Sequence, residues 1–288
     1  MSIDENDLIE AWGQMYINGR IIPAREAVIS VLDRGLLYGD GIFETIRVYA
    51  GKPFMLDAHL ARMAEGCSVI ALPMPDVEGI KRGVVQVLKA NGLFDAYLRI
   101  TVTRGPTGGL WYDLDRSSPT VVIMTKPFAP RDFGEGLSLV TSSFRSDEEN
   151  PLSRIKHTGI LWKMLARAEA KRAGADDALM LDTKGHVSEA TSANVFWVRG
   201  GALYTPSLDC GILPGITRAV VIDIAREQGT AVREGKFPPD DLLAADEAFL
   251  TSSTWELAQI GSIAGKEFRT SRPITKTLTE EYKLRTPP

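Results

Sequence analysis

The sequence predicts an α+β fold in two domains, on three observations. The chain has 288 residues, more than one small domain needs. Short alternating apolar runs that end in turn residues share the chain with stretches whose apolar residues recur every three and four positions. Proline, glycine and charge cluster in "KPFAPRDFGEG", 126–136, and each side of that cluster mixes strands with helices. The predicted organisation is an N-terminal domain at 1–125, a linker at 126–136 and a C-terminal domain at 137–288.

The elements follow in order. "MYINGRIIPA" alternates around Asn18-Gly19, a strong two-residue hairpin turn. "GIFETIRVYAGKPFML" repeats the pattern around Ala50-Gly51-Lys52. From Asp57 the spacing of Leu56, Leu60, Met63, Cys67 and Ile70 predicts a helix. "VEGIKRGVVQVLKANG" predicts another, closed by Asn91-Gly92. "AYLRITVTRG" and "PTVVIMTKP" read as strands, and "LSLVTSSFRS" at 137–146 opens the second half as a further one. An irregular stretch then leads through Lys156 into an amphipathic helix. "DALMLDTKGHVSEATSANVFWVRGGALYTP" breaks into short strands at Thr183-Lys184-Gly185 and Arg199-Gly200-Gly201. "GITRAVVIDIAREQG" is a helix with glycine at each end, and "ADEAFLTSS" is a buried strand that ends in small hydroxyl residues. The strands are expected to pair mostly antiparallel.

Composition narrows the function classes. The apolar and charged fractions, 44% and 24%, are ordinary for a globular chain. The net charge of −4 offers no global argument for nucleic acid or an anionic membrane as partner. Cys67 and Cys210 form no CxxC pair, which suits a reducing compartment. The start "MSIDENDLIEAWG" lacks the apolar core of a signal peptide, and no apolar run is long enough for a bilayer. The reading is a cytoplasmic protein. His59, His157 and His186 have no metal-ligand spacing, and His186, after a turn, reads as exposed. GxSxG, HExxH and GxxxxGK[ST] do not occur, and "RGPTGG" does not fit GxGxxG. Triad hydrolysis, zinc catalysis and Rossmann cofactor binding are all poorly supported.

What remains is a lysine, some anion-binding elements and one acid. Lys156 stands just ahead of an apolar helical stripe. It is either a surface lysine at a helix entrance or an amine aimed into a cleft. Gly215 opens a helix, so the N–H groups of Ile216 and Thr217 lie at its positive end; the glycine either serves an anion there or only permits the turn. "TSST" supplies Ser252 and Ser253 at a strand end. Arg62 follows His59 by three residues, off the Leu60/Met63 stripe, and reads on its own as solvated. Glu189 lies among small and apolar residues; it is either a strand-edge carboxylate in water or buried with a cationic partner. Together these meet the needs of pyridoxal phosphate: an amine for a Schiff base, a handle for the phosphate and an acid for the pyridine nitrogen.

The motifs "DRGLLYGDGIFETIRVY", "HLAR", "RIKHTGIL", "VSEATSANVFWV", "LYTPSLDCGILPGITR" and "ADEAFLTSS" occur in one order over nearly the whole chain. In that order the chain resembles the class IV, fold-type IV pyridoxal-phosphate enzymes: branched-chain and D-amino-acid aminotransferases, (R)-amine transaminases and aminodeoxychorismate lyase. The resemblance implies the two-domain, D-amino-acid aminotransferase-like fold and a homodimer, with Tyr38 near the subunit boundary. It implies that Lys156 holds the cofactor and moves the substrate proton, and that Glu189 pairs with the pyridine nitrogen. Arg62, the N–H groups of Ile216 and Thr217, and Ser252 or Ser253 would hold the phosphate. Phe43 would line the substrate pocket and Arg99, in "AYLR", would meet a substrate carboxylate. Trp111 and Tyr112 would be pocket walls or packing residues.

Within the family, the residues lean toward transamination between hydrophobic or branched-chain L-amino acids and 2-oxoglutarate, by a ping-pong route. Arg99 and Phe43 favour it. Thr45, where branched-chain enzymes carry glycine, and Leu161, where they carry tyrosine, weaken it; Leu161 is as in the D-amino-acid and lyase branches. "KH" and "YTPSLD" resemble the lyases, whereas "PTGGLWYDLD" stands where D-amino-acid enzymes have R-x-H. A protein that binds pyridoxal phosphate without catalysis would not need both Lys156 and Glu189.

Overall fold

The computed structural model describes residues 9–110, 112–114, 118–268 and 271–287. The chain divides into two compact units. The first runs to Ala129 and takes in Ile155–Gly159; the second comprises Pro130–Arg154 and Ile160–Thr286.

The first unit is built on six antiparallel strands: β1 (Gln14–Ile17), β2 (Arg20–Pro23), β3 (Gly41–Tyr49), β4 (Lys52–Pro53), β5 (Ala96–Thr103) and β6 (Thr120–Pro127). Their order is β2-β1-β6-β5-β3-β4. Asn18 and Gly19 both take positive φ, 47° and 90°, the geometry that lets a two-residue turn match strand twist. Helix α1 (Arg34–Tyr38) is capped by Asp33, α2 is Leu56–Val69, and α3 (Val77–Asn91) is capped by the Asp76 side chain and closed by Gly92. Ile42, Ile46 and Val48 alternate along β3 and pack with Leu60, Met63 and Cys67 of α2 and Ile80, Val84 and Val87 of α3.

The second unit holds β7 (Leu137–Ser146), α4 (Leu161–Arg172), β8 (Asp177–Asp182), β9 (Val187–Ala190), β10 (Asn194–Arg199) and β11 (Ala202–Pro206). These are followed by α5 (Ile216–Glu227), β12 (Val232–Gly235), α6 (Pro239–Leu243), β13 (Glu247–Ser252), β14 (Glu256–Ile263), β15 (Lys266–Glu267) and α7 (Pro273–Arg285). The run β10-β13-β14-β7-β8-β9 closes on itself because β9 also pairs β10, through Glu189 and Asn194. The strands pair mostly antiparallel, as expected, with parallel exceptions in this unit. β7 pairs both β8 and β14 in parallel, and β11 pairs β12 in parallel. The connection from β7 to β8 carries α4, long enough for the crossover that a parallel pair requires.

Lys156 is placed differently from the sequence reading, which set it in the C-terminal domain at the mouth of a helix. Ile155–Gly159 belongs to the first unit, and α4 begins only at Leu161. The segment is held by backbone pairing to β3. Phe43 N–H donates to the Lys156 carbonyl at 2.9 Å, Thr158 N–H donates to the Gly41 carbonyl at 2.9 Å, and His157 bridges Ile42. Amphipathic spacing reports a following helix; it is blind to a two-bond bridge formed with a strand more than a hundred residues earlier.

Candidate active site

In the first unit, the Lys156 side chain reaches the Phe43 ring, with Nζ 4.8 Å from the ring centroid. The Arg99 guanidinium lies 3.9 Å from the same centroid, and Arg99 Nε donates to Thr101 Oγ1 at 3.2 Å. The register explains the grouping: Phe43 pairs with Thr101 and Thr45 with Arg99, so all four side chains share one face of the sheet. Two cations beside one aromatic ring make an apolar surface with a positive rim.

The opposite face of β3 turns Glu44 inward. Its carboxylate is fully buried and accepts from Arg62 Nε at 2.8 Å, Arg62 Nη2 at 2.6 Å and His59 Nδ1 at 2.7 Å. Burial pushes the Glu44 carboxyl up, but the Arg62 charge and the hydrogen bonds from His59 and Arg62 outweigh it and hold the pKa at about 2. Burial also lowers the His59 pKa, against the pull of Glu44 and with the help of the Arg62 and Lys156 charges. Arg62 is therefore not the solvated arginine its spacing suggests; it is buried and locked by a two-point fork. Glu44 escaped the sequence reading. The signal for it was a lone acid in the otherwise apolar alternation of "GIFETIRVY".

In the second unit, Glu189 is buried, 3% exposed, and has the cationic partner that burial demands. Lys163 Nζ donates to Oε1 at 2.7 Å, while Asn194 Nδ2 and Leu213 N–H donate to Oε2, each at 3.1 Å. Glu189, Asn194 and Thr251 form one cross-strand row over β9, β10 and β13. Thr251 Oγ1 is buried and has no hydrogen-bond partner among the described residues. Helix α5 begins beside this row. Its N-cap Gly215 brings no capping side chain, and a Cβ there would collide with the Asn194 amide oxygen. No side chain caps the start of α5, where Ile216 is half-buried and Thr217 buried. Ser252 and Ser253 are half-buried at the end of β13, and Ser252 Oγ accepts from Trp255 N–H at 3.2 Å.

Tyr38 is 55% exposed at the end of α1, Tyr112 is exposed, and Trp111 lies outside the described residues. His186 is partly exposed and pairs with Asp182 at 2.9 Å. Lys163 and Asn194 were missed as site residues. The need of a buried glutamate for a cation was legible, but which lysine met it was not.

The residues fit pyridoxal phosphate on grounds visible here: an orphaned hydroxyl, a buried carboxylate with hydrogen-bond donors on both oxygens, and a bare helix N-terminus that only glycine permits.

Comparison with known proteins gives the same direction. The family described as Amino-transferase class IV matches residues 41–263. A Methanocaldococcus jannaschii protein, provisionally named a branched-chain-amino-acid aminotransferase, is 38% identical over 94% of this chain and 95% of its own. The aminodeoxychorismate lyase of Bacillus subtilis is 32% identical over 84% of each chain. The crystal structure of the branched-chain aminotransferase from Thermoproteus uzoniensis with norvaline aligns over 94% of each chain, with a TM-score of 0.89 and 33% identity.

Proposed function

We propose a function from the premise that this chain belongs to the class IV aminotransferase family, whose members depend on pyridoxal phosphate, and is a transaminase of fold type IV. The proposed reaction is a ping-pong transfer of the amino group from a hydrophobic or branched-chain L-amino acid to 2-oxoglutarate. The observation that carries it is the Phe43 ring with the Lys156 ammonium and the Arg99 guanidinium against it. That surface offers an apolar seat for a side chain, a cation for a carboxylate and an amine for the chemistry. The relatives named as branched-chain aminotransferases support the same substrate class.

When bound, pyridoxal phosphate supplies a carbonyl that condenses with amines and a ring that withdraws electrons. Lys156 would hold it covalently and, once released as a free amine, take the proton from the substrate Cα; a positioned base of this kind typically contributes roughly 10²–10⁴-fold. Glu189 would accept from the ring N–H. Arg62, kept in place by Glu44, would bind the phosphate together with the N–H groups of Ile216 and Thr217 and the hydroxyl of Ser252 or Ser253. Arg99 would orient a substrate carboxylate above Phe43. A homodimer is part of the proposal, supported by the exposed apolar run of Val28, Val31, Leu32, Leu36, Leu37 and Tyr38. A cytoplasmic location is also part of it, supported by the two buried free thiols. No helix among the described residues is long and apolar enough to cross a membrane.

The lyase reading has its own support in Leu161, which replaces a tyrosine, and in the similarity to the Bacillus subtilis lyase. A half-reaction decides. Yellow holoprotein is mixed with L-leucine, D-alanine or aminodeoxychorismate and the visible band is followed. Bleaching by L-leucine is expected and should vanish in Lys156→Ala. Pyruvate release from aminodeoxychorismate without loss of the band would replace the proposal with the lyase.

A further inference from the structure

Lys163 stands out in the second unit because of what it occupies. A carboxylate offers about two acceptor sites on each oxygen. On Glu189, Oε2 already accepts from Asn194 Nδ2 and Leu213 N–H, and Oε1 accepts from Lys163 Nζ at 2.7 Å. One acceptor site is left, on the oxygen that the ammonium holds. Lys163 is drawn there by charge and is itself only 20% exposed. Arg167, one turn further along α4, is engaged elsewhere, with Asp177 Oδ2 at 3.3 Å and Ser192 Oγ at 3.5 Å.

We propose that Lys163 is a positioning residue that tunes the ring-nitrogen side of the site. It holds Glu189 in a charge-balanced pair and weakens the hold of Glu189 on a protonated pyridine nitrogen. The inference rests on the reading that Glu189 meets that nitrogen. A bare buried carboxylate would favour a pyridinium strongly, because each neutralises the other where water cannot. A carboxylate already paired with an ammonium gains much less, since a second cation must share Oε1 and is repelled by the first. The protein thereby gives up part of its preference for a protonated ring, and with it part of the ring's electron-withdrawing power. In return Glu189 stays oriented before the cofactor arrives.

The test uses the full chain, stripped of cofactor and reconstituted with pyridoxal phosphate or with its 1-deaza analogue, in which a C–H replaces the ring nitrogen. The ratio of the two dissociation constants measures what the nitrogen contributes to binding. In Lys163→Met the ratio should rise in favour of pyridoxal phosphate by about ten-fold or more, the scale of one unit charge a few Å away at intermediate dielectric. Lys163→Gln, neutral but able to hydrogen-bond, should move it the same way, which covers the case of a Met variant that does not fold. Lys163→Arg should keep the wild-type ratio. Glu189→Gln should collapse it. A ratio unchanged or lowered in both neutral variants, with collapse in Glu189→Gln, overturns the role of Lys163 and leaves Glu189 where it was. A ratio untouched by Glu189→Gln removes the Glu189 reading and the Lys163 inference together.

Discussion

At the scale of single residues, the buried acids define the chemistry. Glu44 and Glu189 each sit where a carboxylate could not remain charged alone, and each is matched by a cation within hydrogen-bond distance. The match to Arg62 gives a direct prediction. Arg62→Ala should strand the Glu44 carboxylate and cost about 3–5 kcal/mol of stability in urea unfolding of the cofactor-free protein. A solvated arginine would cost within about 0.5 kcal/mol, so the measurement separates the two placements of this side chain. The sequence showed Arg62 and Glu189 as residues of interest but could not show their partners. Glu44 lies 18 positions from Arg62, and Lys163 lies 26 from Glu189. No helical or strand period links such separations.

At the scale of elements, helix ends and strand closures turn these residues into a site. The helices over 77–91 and 216–227 were legible because their apolar periods are bounded by recognisable cap and glycine residues. The open N-terminus of α5 depends on Gly215 for space, since its φ of −68° would suit any residue. Gly215→Ala should therefore push Asn194 aside, disturbing both its bond to Glu189 and its bond to the Leu213 carbonyl. The expected result is a cofactor dissociation constant raised about ten-fold or more, the loss of one charge-assisted hydrogen bond. Helicity by circular dichroism should be preserved. An unchanged dissociation constant would remove the α5 terminus from the binding site. The segment around Lys156 was harder to read, because a short bridge to β3 carries no period of its own.

At the scale of the whole molecule, acid should undo the fold through the cluster behind β3. Glu44 and His59 both have pKa values below their ordinary 4.5 and 6.5. For groups of this sign the contribution to stability is complete above the unfolded-state value and is lost as pH falls toward the folded one. The His59 contribution should fade below pH 6.5, and the Glu44 contribution between 4.5 and about 2. The urea midpoint should fall across both windows. His59→Gln should flatten the first decline while leaving the second. A midpoint that is level from pH 7 to 5 in the unaltered protein would contradict this account of His59.

The sequence alone determined the α+β character, most helices and hairpins, the ordered motifs of a cofactor enzyme and the residue types that its chemistry requires. These are local properties: periods of two and 3.6, caps, and turn residues act within a few positions of one another. Tertiary structure decided which side chains meet. Strand pairing seated Phe43 beside Arg99, turned Glu44 toward Arg62, bound Lys156 to β3 and closed β9 on β10 at Glu189. A pairing register is the outcome of burying whole faces at once, and no short window of residues contains it.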